Sequence, residues 1–102
     1  MGADPGPATF NRLLLSAQVQ ERSARRYTPA GLPALDLVLA HEGQASEDGQ
    51  PRLVRMHLKA VAIGQVSRSA EQLALGEQRQ FAGFLAPSRG GKGLIFHINE
   101  IA

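Results

Sequence analysis

The stretch from Arg25 to Glu42 constrains this chain more than any other. Pro29 and Gly31 set a rigid turn, because proline fixes φ at the second turn position and glycine accepts angles that branched residues refuse. Pro33 then opens a strand at its first residue, where a missing N–H does least harm. Behind it Leu35, Leu37 and Leu39 alternate with Asp36, Val38 and Ala40, so a leucine face turns inward. The turn carries Arg25, Arg26 and Tyr27, the only tyrosine, and presents cationic and aromatic side chains beside a barrel-type strand. This is the first place to look for a binding surface.

The remaining segments are organised around that strand. Asn11 to Gln20 is predicted as the first strand, with Leu13, Leu15, Ala17 and Val19 on one face and Leu14 among the residues on the other. Glu42 to Pro51 is polar, acidic and glycine-rich, and is expected to be a mobile loop. Arg52 to Ile63 is the third strand. Val54, Met56, Leu58, Ala60 and Ala62 share one of its faces, and Arg55, His57 and Lys59 the other, a possible phosphate track. Val66 to Leu75 is predicted as a short helix, with Ser69 and Gln72 resembling a capping box and Gly76 as terminator. Gln78 to Ala86 is the fourth strand. Its Phe81, Gly83 and Leu85 face inward, and Gly83 marks a barrel bend or a close backbone approach. A flexible hairpin from Pro87 to Gly93 carries Arg89 and Lys92, and Leu94 to Ile101 is the last strand.

At 102 residues the chain holds one domain, here 10–102, behind a glycine- and proline-rich flexible leader at Met1–Thr9. No apolar run suits a targeting or membrane segment. The absence of cysteine excludes disulfides, thiolate chemistry and cysteine zinc sites, and fits a cytoplasmic setting. His41, His57 and His97 sit on three separate strands without acidic partners at ligand spacing, which argues against a metal. Gly90-Gly91-Lys92-Gly93 lacks the upstream glycine and the Ser/Thr of a phosphate-binding loop. No cofactor motif, nucleophile–base pair or carboxylate dyad is present, so an enzyme is the weakest reading. The net charge of +2 permits an acidic partner without requiring one.

Three strands, a short helix and two more strands give an all-β fold class, the five-stranded OB-fold Greek-key barrel with one short helix between strands 3 and 4. That fold binds oligonucleotides or oligosaccharides on strands 2–3 and on the loops after strands 1 and 4. Arg25, Arg26, Tyr27, Arg55, His57, Lys59, Arg89 and Lys92 fall in those places and are the candidate nucleic-acid-binding residues. Each has a plainer reading. The first three can be a solvated turn, the strand-3 row an ordinary charged face, and Arg89 with Lys92 a pair of hairpin solubilisers.

Asn11-Arg12-Leu13-Leu14-Leu15-Ser16, Pro29-Ala30-Gly31-Leu32-Pro33, Leu37-Val38-Leu39-Ala40-His41-Glu42 and Gly83-Phe84-Leu85 resemble the bacterial primosomal replication protein N family. These proteins are OB-fold relatives of single-stranded DNA-binding proteins. The resemblance implies a non-catalytic homodimer that binds single-stranded DNA and the restart helicase, among other primosome proteins, at stalled forks. It also implies DNA contacts at Arg25, Arg26, Arg89 and Lys92. The alternative is a protein-interaction adaptor that binds nucleic acid only weakly.

Overall fold

The computed structural model describes residues 9–102, so the expected leader lies, apart from Thr9, outside the described residues. Its elements are β1 (Leu13–Arg22), β2 (Arg26–Tyr27), β3 (Pro33–Glu47), β4 (Gln50–Ile63), α1 (Gln65–Glu71), β5 (Gln78–Pro87) and β6 (Leu94–Ile101). The sheet runs β1-β5-β6-β4-β3-β2, and a further β1–β3 pairing closes it into a barrel. All pairings are antiparallel except β4–β6. The five long strands form the expected OB barrel. Because the two-residue β2 stands where a turn was expected, the helix follows the fourth strand in chain order, not the third.

Alternation along the strands builds the interior. Leu15, Ala17 and Val19 meet Leu35, Leu37 and Leu39 from β3, Ala60 and Ala62 from β4, and Phe81, Phe96 and Ile98 from the last two strands. Phe81 and Phe96 are fully buried, each worth roughly 1.5–3 kcal/mol of apolar transfer. Helix α1 closes the barrel with Ala70, and Leu73 follows just beyond it.

Three local expectations are corrected. The segment from Glu42 to Pro51 is not a mobile loop but most of a paired arm, registered from Glu42↔Arg55 to Glu47↔Gln50. Its tip is Asp48-Gly49, at φ 48 and 76, the left-handed pair that a two-residue hairpin turn requires. Polar composition imitates a loop here because most of the arm faces water.

The helix is shorter than Val66–Leu75, and the Ser69/Gln72 box does not form. Gly64 is the N-cap, and the Ser67 hydroxyl donates to the Gly64 carbonyl at 2.6 Å. At the other end Arg22 donates to the carbonyls of Ala70 and Leu73, capping the helix from β1. Finally, β1 begins at Leu13 because the Asn11 carboxamide does a strand's work with its side chain. It donates to the Leu85 carbonyl at 2.6 Å and accepts the Leu85 N–H at 2.9 Å.

Gly83 meets its expectation. A Cβ built there would lie 1.8 Å from the His97 carbonyl oxygen, beside the register shift between Ala82 and Gly83.

Candidate nucleic-acid interface

The outer faces of β3 and β4 are tied by register: Asp36 opposite Val61, Val38 opposite Lys59, Ala40 opposite His57 and Glu42 opposite Arg55. Strand β6 runs parallel beside β4, with Val61 next to His97. The turn from Ser88 to Gly93 is closed by the Ser88 N–H on the Gly93 carbonyl at 3.0 Å and the Gly91 N–H on the Ser88 carbonyl at 2.8 Å. Between these elements lies a groove of about 430 Å³. Arg26, Asp36, Val38, Lys59, Val61, Ile63, Arg89, Ile95 and His97 are among the residues that line it.

Of the eight candidates, only Arg26, Lys59 and Arg89 share this groove. Arg55 and His57 line a separate hollow with His41, Glu42 and Met56. Lys92 stays exposed on the hairpin, outside the groove lining. Alternation across the short β2 separates Arg26 from the remaining two, Arg25 and Tyr27, since neighbouring side chains on a strand point to opposite sides. Arg26 reaches the groove. Arg25 instead bonds Glu71 on α1, and the Tyr27 hydroxyl lies beside that guanidinium. Tyr27 is 62% exposed.

The cations are not equally available. Arg26 donates through Nε at 2.8 Å and Nη2 at 3.0 Å to the two carboxylate oxygens of Asp36. That bidentate bond holds the Asp36 carboxyl below the usual carboxylate range, against the opposing effect of partial burial. The pair is therefore complete above the ordinary carboxylate range and is lost as pH falls through the lowered value. Both side chains are about half exposed, so salt screens the attraction. Glu71 in the first place, and then Tyr27, raise the Arg25 pKa. Arg55 donates to Glu42 at 2.5 Å. Among the described residues, Lys59, Arg89 and Lys92 have no acidic partner.

Two residues of this wall lie outside the eight candidates. Asp36 places an acceptor in the groove. His97 lies stacked on Phe84, ring centroids 4.8 Å apart and planes 10° from parallel. The signal for His97 was the alternation of Ile95, Phe96, His97 and Ile98, which sends Phe96 inward and His97 out.

A family model described as "another single-strand binding protein family" matches residues 11–100. The replication restart protein PriB of Bordetella pertussis is 49% identical over 80 residues, covering 78% of this chain and 75% of that protein. The chain belongs to the PriB family. A PriB structure from Ralstonia solanacearum superposes with a TM-score of 0.87 at 36% identity, covering 92% of this chain and 97% of that one. A deletion mutant of the single-stranded DNA binding protein from Thermus aquaticus gives a TM-score of 0.70 at 26% identity, over 91% of this chain and 49% of that one. The resemblance read from the sequence is thus borne out, and the family match spans every groove residue of the PriB-type barrel. Among the described residues, no helix is long and apolar enough to cross a membrane, and no three His, Asp or Glu side chains form a metal-holding group.

Proposed function

We propose that the chain binds single-stranded DNA and serves replication restart in the bacterial cytoplasm. In this reading it bridges DNA and the restart helicase as a homodimer, with no catalysis of its own. The observation that carries the reading is the pair of unneutralised cations, Lys59 and Arg89, in one groove on the OB barrel's binding side. The names of its relatives, replication restart and single-strand binding proteins, supply the context.

Titrating a labelled oligothymidylate tests this. Binding should be measurable at low salt and fall linearly in log K against log salt. Adding the restart helicase should then give a ternary complex. No binding at low salt would overturn the reading, whereas DNA binding without a ternary complex would remove only the bridge. The adaptor alternative is favoured by the acidic partners of Arg25, Arg26 and Arg55, which leave few cations for phosphate. It would lead if the helicase bound and the oligonucleotide did not.

The dimer rests on β1. Its pairing with β3 begins only at Gln18, so one edge from Leu13 to Ala17 lacks a neighbouring strand, and Leu14 is 66% exposed beside it. A second copy pairing along that edge would cover both. Phe84 adds little exposed apolar surface to that edge, because His97 stacks on it. A single 10.9 kDa species in sedimentation at micromolar concentration would remove the dimer.

A further inference from the structure

We infer that His97, backed by Phe84, is a stacking platform for one base of the bound strand. This deepens the single-stranded DNA reading and rests on it. The two residues lie directly opposite each other in the β5–β6 register. Phe84 covers one face of the imidazole in near-parallel stacking at 4.8 Å. The close approach of the two backbones at Gly83, next to Phe84, holds the strands that carry the rings. His97 lines the same groove as Lys59 and Arg89, with Val61 and Ile95 as apolar neighbours. A flat π surface on an apolar wall, with unpaired cations nearby for phosphates, is the arrangement that takes an unstacked base. Tyr27 stands apart from this groove, beside Arg25.

Stacking releases no counterions, so it separates cleanly from the phosphate contacts. His97→Ala should weaken binding of a base-bearing oligothymidylate by roughly 5- to 100-fold, as expected for one stacked base. It should leave the salt slope, and the affinity for an abasic oligonucleotide of equal length, unchanged. His97→Phe should restore most of the loss. In the unaltered protein, the His97 ring protons should shift upfield on adding the base-bearing strand and stay in place with the abasic one. That measurement holds even if His97→Ala does not fold. The platform is overturned if His97→Ala binds the base-bearing strand within twofold of the parent, if both probes weaken equally, or if the ring protons do not move. An unaltered chain that binds neither probe would instead sink the DNA reading itself.

Discussion

Gly83→Ala is expected to destabilise the barrel by about 3 kcal/mol or more, through overpacking against atoms that cannot retreat. The added methyl would stand 1.8 Å from the His97 carbonyl oxygen, 2.8 Å from its carbon and 3.0 Å from Phe96 Cε1. The first two atoms belong to the β6 backbone, which is paired on both sides, with β5 and with β4. Relief would require β6 to leave one neighbour, and Phe96 would leave the core with it. For a domain of this size the melting temperature should fall by roughly 10–25 °C. Gly31→Ala is the natural control. Nothing lies within 4 Å of a Cβ there, but φ is +86, so only the left-handed backbone penalty of about 1–2 kcal/mol applies. A Gly83→Ala melt within a few degrees of the parent would show that the two strands can part without loss.

The second large effect is electrostatic. Lys59→Ala combined with Arg89→Ala should flatten the slope of log K against log salt by about 1.4, since each phosphate contact on a single strand contributes about 0.7. The same relation makes the loss of affinity roughly 15-fold at about 0.15 M salt and several hundred-fold at about 0.01 M. All sequences should weaken alike, because phosphate contacts carry no base information. Both residues are exposed and free of acidic partners among the described residues, so melting should barely change. Arg55→Ala should alter the slope less, because Glu42 already occupies that guanidinium. A double variant with the parent's slope would place the DNA elsewhere on the barrel.

Much of the barrel could be read from periodicity. Leu35, Leu37 and Leu39 alternate, and the structure buries all three; Gly83 interrupts an apolar strand, and the structure puts a carbonyl where its side chain would be. The arm escaped because Glu42 to Pro51 has almost no apolar alternation, although Asp48-Gly49 carried the hairpin signal. The helix end escaped because its cap, Arg22, lies far away in sequence. For the eight candidates, sequence could locate cations but not pair them. Nothing local indicates that Arg26 meets Asp36, that Arg25 meets Glu71, or that Arg55 meets Glu42. Ion pairing across the fold divides a uniform-looking set into occupied and free charges.

The place of β6 in the sheet has a consequence for how the protein is made. It is the last of the described strands in sequence order, yet it lies between β5 and β4. During synthesis β1, β3 and β4 can pair as soon as they emerge, but β4 and β5 then each carry a bare edge until Leu94–Ile101 arrives. Barrel closure therefore waits for β6, whichever of the other strands have already paired. Until β6 has emerged, Phe81 lacks its neighbours from that strand, the state in which edge-to-edge association with another chain competes with folding.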